Sequence, residues 1–190
     1  MTSNLDYQAL LEKLTEETLE LGLNTPIVVI DGRACSGKST LAKDLQNRLF
    51  QEGDSLPRLL HMDDLYPGWD GLAAGVDYLK RMILNPLKQT GSASWQEYDW
   101  AAGKRNNWRE FSGGTPLIIE GCGSLNTYTA SIANLTVWLS APEELRRERW
   151  LAREGNVEKF ELWSAQELDF IALEHSDTLA TYFYDSSTTL

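Results

Sequence analysis

The apolar positions of the chain follow two different rules. Leu10, Leu11, Leu14 and Leu21 recur at helical spacing with Glu12, Glu16, Glu17 and Glu20 mostly opposite. This predicts an amphipathic helix over residues 5–21, stopped by Gly22 and Asn24. Four short runs, residues 27–31, 59–62, 117–119 and 135–139, are instead almost continuously apolar. They end in Asp31-Gly32, Asp63-Asp64, Glu120-Gly121 and Ser140-Ala141-Pro142. Strands buried on both faces read in this way, and polar ends suit strands whose carboxyl termini line a ligand crevice. Helical spacing recurs over 39–50, 76–89, 143–154 and 158–175, and residues 179–184 read as a last strand. The remainder of 65–115 has no clear period and is expected to be loop. Strands alternating with helices predict an α/β three-layer sandwich around a parallel sheet of about five strands.

Composition narrows the picture. The 190 residues read as one domain, 1–190, and 42% hydrophobic residues suffice for a core. Seventeen basic against 28 acidic side chains give a formal charge of −11. That excludes a general nucleic-acid binder, which needs a basic face to displace phosphate counterions. No apolar run is long enough to span a bilayer, and residues 1–7 carry no signal pattern. Cys35 and Cys122 have neither disulfide-framework nor metal-ligand spacing, so a reduced, cytoplasmic protein is expected. The helix over 5–21 can dock on its own core or on a second copy of the chain, so a homo-oligomer stays open.

The strongest motif is Gly32-Arg33-Ala34-Cys35-Ser36-Gly37-Lys38-Ser39, followed by Thr40 and set between an apolar strand and a periodic helix. Its glycines let successive backbone N–H groups curl around phosphate oxygens, Lys38 brings a mobile positive charge to the β- and γ-phosphates, and Ser39 can hold Mg²⁺. The motif predicts a nucleoside triphosphate, ATP, as ligand. Cys35 reads as a thiol whose pKa Lys38 and the helix start would lower, or as filler. The chain has no N-K-x-D guanine signature and is short for a motor ATPase, which leaves a small-molecule kinase: a core, an acceptor region at 65–115 and a lid at 143–155.

The remaining polar clusters fit that chemistry. Asp63 is the candidate base for an acceptor hydroxyl and, with Ser39 and Glu120, a candidate Mg²⁺ organiser. The plain alternatives are a helix cap or solvated acid pair for Asp63-Asp64 and a loop carboxylate for Glu120. Arg146, Arg149 and Arg153 share one helical face and can cover transferring phosphates, although interleaved glutamates would equally make surface pairs. Tyr66, Trp69, Tyr98 and Trp100, with Asp99 and Arg105, form a candidate acceptor surface in a segment holding four of the seven tryptophans. Simple packing is the competing role for them. His61 and His175 receive no role.

Taken in order, residues 31–40, Met62-Asp63-Asp64-Leu65-Tyr66, Tyr98-Asp99-Trp100 with Arg105, Ile119-Glu120-Gly121 and the arginine helix resemble the uridine kinase group of P-loop small-molecule kinases. The likeness spans about residues 26–155 and is nearest to a branch carrying the run at residues 63–72. It implies a catalytic aspartate at Asp63, nucleoside contacts at Tyr66, Tyr98, Asp99, Trp100 and Arg105, a magnesium-associated acid at Glu120 and lid arginines at Arg146, Arg149 and Arg153. Gly103 stands where the group has a pyrimidine-selecting histidine, and the lid has Arg153-Glu154-Gly155 instead of a fuller arginine pattern. The expected reaction is transfer of the γ-phosphoryl group of ATP to a small-molecule hydroxyl, most readily a nucleoside's. A nucleoside-monophosphate kinase, with Arg81, Lys104, Arg105 or Arg109 on the extra phosphate, and a non-catalytic ATP-binding regulator are the alternatives.

Overall fold

A computed structural model describes residues 6–53 and 55–187. The Leu5 start of the first helix and residues 1–4 therefore lie outside the described residues. Along the chain run α1 (Tyr7–Glu20), β1 (Ile27–Gly32), α2 (Lys38–Glu52), β2 (Arg58–His61), a 3-10 turn (Met62–Asp64) and α3 (Leu72–Tyr78). A π-helical stretch (Leu79–Leu84) continues α3 into α4 (Asn85–Thr90). Then come β3 (Ala93–Asp99), β4 (Lys104–Phe111), β5 (Leu117–Glu120), α5 (Thr127–Ala130), β6 (Leu135–Ser140), α6 (Glu143–Glu154), α7 (Glu158–Glu174), a 3-10 turn (Ser176–Thr178) and β7 (Tyr182–Asp185).

Five strands form one parallel sheet in the order β2-β5-β1-β6-β7. Because β1 lies between β5 and β6, the chain leaves it at the point where strand order reverses, which is where α/β sheets open a crevice. Alternation along β1 separates two apolar layers. Val28 and Ile30 pack with Leu10, Leu14, Leu41 and Leu45 of α1 and α2, while Val29 faces Leu60, Ile119, Trp150 and Phe160 on the other side. The sheet thus sits between helical layers, as the apolar pattern predicts. Asp6 caps α1 by accepting the Ala9 N–H at 2.8 Å, and the buried face of α1 docks on its own core.

The stretch 65–115 differs from expectation. The predicted helix 76–89 is longer and irregular, running from Leu72 to Thr90 through π-helical turns. Pro86, which lacks an N–H and crowds the carbonyl four residues back, lies next to that irregularity. What reads as loop beyond it is a β-hairpin, β3 against β4, with a register shift between Gln96 and Glu97. Only Ala93, Trp95 and Phe111 of the hairpin are buried and most of β4 is exposed, so no apolar alternation marks it. The last strand also begins later than expected, at Tyr182, where its parallel pairing with Val137 of β6 starts.

Candidate functional site

The phosphate loop joins β1 to α2. Gly32 has φ +144°, and a Cβ there would collide with the carbonyl oxygen of Leu139 on the adjacent β6, so only glycine fits. Cys35 adopts a left-handed conformation, φ 63°, unusual for a side chain. Burial pushes its thiol pKa up against the pull of Arg153 and Lys38, which speaks against the activated thiol and for the filler alternative. Lys38 is buried, donating to Arg33 O at 3.0 Å and to Cys122 Sγ at 3.5 Å. Its neighbours Cys122, Glu120, Glu167 and Asp31 outweigh the burial cost and hold it firmly protonated. Ser36 Oγ is buried without a partner in the same loop, and Ser39 and Thr40 open α2 toward a cleft of about 660 Å³.

Asp31 ties the loop to the segment after β5. It accepts N–H bonds from Gly32 at 2.6 Å, Gly123 at 3.1 Å and Leu125 at 2.8 Å. Full burial nevertheless raises its pKa to about 7, against the pull of those N–H groups and of Lys38. Register places Ile30, Glu120 and His61 side by side at the carboxyl ends of β1, β5 and β2. Glu120 accepts from Ser39 Oγ at 3.0 Å, and His61 Nδ1 lies 2.6 Å from the same oxygen. His61, given no role by sequence, therefore has a partner, and its pKa is raised chiefly by that hydrogen bond. Gly121 has φ +135°, and a Cβ on it would lie 2.5 Å from Met62 Cβ, so the 3-10 turn packs directly on the end of β5.

That turn puts Asp63 and Asp64 on the cleft. Asp63 opens to the cleft's solvent from a floor with protein on most sides; desolvation first, then the Glu120 charge, raises its pKa. Among the described residues no hydrogen bond or ion pair engages either carboxylate. A fold of this kind implies a magnesium ion bound with the nucleotide. The donor chemistry fits: Ser39, Asp63 and Glu120 offer hard oxygens on one cleft, with two carboxylates whose repulsion a divalent cation would relieve. No group of three or more His, Cys, Asp or Glu side chains is arranged to hold a metal among the described residues.

The arginine helix divides. Helix α6 starts after Pro142 with Glu143 and Glu144 in its first turn and ends at Gly155 in the left-handed conformation. Arg149 and Arg153 line the cleft; Arg149 donates to Cys35 O and Ser186 O, each at 3.1 Å, and Arg153 pairs with Glu154 at 2.7 Å. Arg146 does not line it. It is 1% exposed, donates to Ala34 O at 3.4 Å, lies within 4.0 Å of Glu167 and packs over Phe160. Its expected lid position is corrected: one residue on the shared face is close enough to the core to be swallowed by it.

The acceptor set divides too. Tyr66, Trp69 and Trp100 line the cleft with Trp150 and Trp163. Tyr66 is buried, donates to Cys122 O at 2.7 Å and meets Trp163 edge-on at 4.8 Å. Trp69 and Trp100 pack at 5.0 Å, and Trp100 Nε1 donates to Asp63 O at 2.9 Å, fixing the backbone beneath the acid. Tyr98, Asp99 and Arg105 lie off the cleft. Tyr98 packs against Trp100, and Asp99 closes the hairpin turn by accepting Ala102 N–H at 2.9 Å. Gly103, φ 63°, completes that turn. Arg105 stacks on Tyr78 at 3.4 Å and donates to Leu65 O at 2.9 Å, so it braces the loop that carries Tyr66. Sequence reasoning missed Glu167, a buried carboxylate from α7 that accepts from Ala34 N, Arg33 Nε and Cys122 Sγ behind the phosphate loop. Helix α7 also carries Glu158, Glu161, Asp169 and Glu174, so nothing in the sequence sets Glu167 apart from them.

A parallel sheet in this order, with a phosphate loop at its switch point, defines a P-loop nucleotide-binding α/β fold of the kind that small-molecule kinases share. The AAA domain family (AAA_18) matches residues 28–168, and the chain belongs to that family. No curated protein matches the sequence. Among solved structures, a possible uridine kinase from Bacillus stearothermophilus is similar over 95% of this chain and 100% of its own, with TM-score 0.68 and 20% identity. A candidate fructose transport system kinase from Silicibacter sp. TM1040 covers 95% of this chain and 99% of its own, with TM-score 0.71 and 18% identity. These likenesses fix the fold as that of P-loop kinases. No helix among the described residues is long and apolar enough to cross a membrane.

Proposed function

We propose that the protein is an ATP-dependent phosphotransferase that moves the γ-phosphoryl group of ATP to a hydroxyl of an uncharged, nucleoside-like small molecule. The observation that carries this reading is that the phosphate loop and the unpartnered Asp63 open onto one cleft, with an aromatic wall beside the acid. Lys38 exchanges its contact with Arg33 O for phosphate oxygens. Asp63 takes the proton of the acceptor hydroxyl as that oxygen bonds to phosphorus and the bond to the β-phosphate oxygen breaks, releasing ADP. Arg149 and Arg153, which line the same cleft, offer positive charge to the transferring group. Magnesium, when bound with the nucleotide, neutralises phosphate charge near Ser39 and Glu120. Trp69 and Trp100 offer surface to a planar acceptor.

The charge pattern of the acceptor end favours a nucleoside over its monophosphate. A phosphate on the acceptor needs a cation, yet none of Arg81, Lys104, Arg105 and Arg109 lines the cleft. Arg81 pairs with Asp77, Arg109 with Glu97, and Arg105 is stacked on Tyr78. The test is ADP release from Mg-ATP with a panel of nucleosides, deoxynucleosides, monophosphates and simple alcohols, with Asp63→Asn as control. Stimulation by a nucleoside that drops roughly 100-fold or more in the variant is expected. Mg-ATP binding without turnover on any acceptor would overturn the reading and favour a regulatory nucleotide binder.

A further inference from the structure

The back of the phosphate loop is held by a group that no motif announces. Glu167 is 2% exposed and stands on α7, more than 130 residues along the chain from the loop it touches. Its Oε1 accepts the Ala34 N–H at 2.6 Å and the Cys122 S–H at 3.1 Å, while Oε2 accepts Arg33 Nε at 3.1 Å. Arg146 is the second cation, 4.0 Å away, and it reaches Ala34 O. Residues 33–35 are thus tied at four backbone atoms: Ala34 N by Glu167, Ala34 O by Arg146, Cys35 O by Arg149 and Arg33 O by Lys38. Between these ties sits Cys35 in a left-handed conformation, which an ordinary side chain adopts only when its surroundings over-determine it.

We infer that Glu167 is a positioning residue of the phosphate loop: its buried carboxylate holds Arg33 and Ala34 in the shape that presents the loop's other N–H groups to a triphosphate. The inference rests on the reading of the loop as a triphosphate site and needs nothing of the acceptor. The Ala34 N–H is turned toward α7, so it shapes the cradle without being part of it. Cys122 extends the clamp, since its sulfur also receives Lys38 Nζ at 3.5 Å. A neutral amide cannot replace the carboxylate. If its oxygen takes the Oε1 place, its NH₂ confronts Arg33 Nε; if reversed, it confronts the Ala34 N–H, donor against donor. Either way Arg33 and Arg146 lose their shared buried counter-charge.

The experiment measures the affinity of wild type and Glu167→Gln for Mg-ATP and for inorganic tripolyphosphate by calorimetry, at a temperature where circular dichroism shows the variant fully folded. A residue that merely stabilises the fold would lower the melting temperature without changing affinity in the folded state. The expected result is at least a tenfold loss for both ligands by the same factor, because the loop meets both through phosphate. Wild-type affinity in the folded variant overturns the proposal. If Glu167→Gln does not fold, Arg33→Met strips the carboxylate of its nearest cation from the other side. A several-fold loss is then expected, and unchanged affinity overturns the proposal equally. A wild-type chain that binds neither ligand overturns the triphosphate reading itself, and this inference with it.

Discussion

One short loop, through Ala34, Cys35, Gly37, Lys38, Ser39 and Thr40, lines the proposed phosphate end of the cleft, whereas the proposed acceptor end draws its wall from Asp63, Tyr66, Trp69, Trp100, Trp150 and Trp163. The first is contiguous in sequence and secured largely from behind, by Asp31, Arg146 and Glu167. The second is assembled from a 3-10 turn, the hairpin's edge and two helices, and is braced by contacts such as Arg105 to Leu65 O and Trp100 to Asp63 O. A contiguous cradle for phosphate can be kept while an assembled wall changes what is phosphorylated. The triphosphate end should therefore behave as a fixed unit and the acceptor end as a variable one.

The sharpest test of that division is Lys38→Ala. Turnover should fall roughly 100- to 1,000-fold with every acceptor alike, since the lost charge faces phosphate. Steady-state rates across the acceptor panel check it, and a loss confined to one acceptor would break the comparison. Asp31 gives a comparable effect on stability. Burial raises its pKa to about 7 from an unfolded value near 3.9, so the folded chain holds the extra proton and stability is lost as pH rises through that window, flattening above about 7. The span is on the order of 4 kcal/mol. Urea unfolding from pH 4 to 8 should show this slope in wild type and a clear flattening in Asp31→Asn. The smallest effect belongs to the brace. Arg105→Ala should cost about 1–3 kcal/mol and raise the acceptor KM while leaving the KM for ATP unchanged. Arg105→Lys should not restore it, because an ammonium cannot reproduce the planar stack on Tyr78.

How much of this could be read in advance follows the same division. The five sheet strands and most helices announce themselves because each buries a regular stripe, and the phosphate loop because its residues are neighbours in sequence. The hairpin does not: Trp108 and nearly all of β4 face solvent, so period-two alternation is missing. Arg146 and Arg149 look equivalent on a helical wheel, yet one sinks behind the loop and the other lines the cleft, a difference set by where α7 packs. Asp99 and Arg105 carry the right chemistry in the right order but serve the hairpin turn and the Tyr66 loop. His61 could have been paired with Glu120 by aligning the carboxyl ends of two predicted strands. Glu167 could not, because Arg33, Ala34 and Cys122 are brought to it only by the packing of α7 behind the loop, and no strand register links them.

The position of β1 also constrains how the chain folds. It is the central strand, yet its partners are Leu117 and its neighbours on one side and Leu135 and its neighbours on the other. A nascent chain thus makes the middle of its sheet first and must hold that apolar strand, with the phosphate loop attached, until both flanking strands have emerged. Loop closure over such separations comes before any ladder is gained, which slows folding and leaves the early strand open to wrong pairing. Helix α2, laid against β1 from the adjoining sequence, is the element best placed to shield it in the interval.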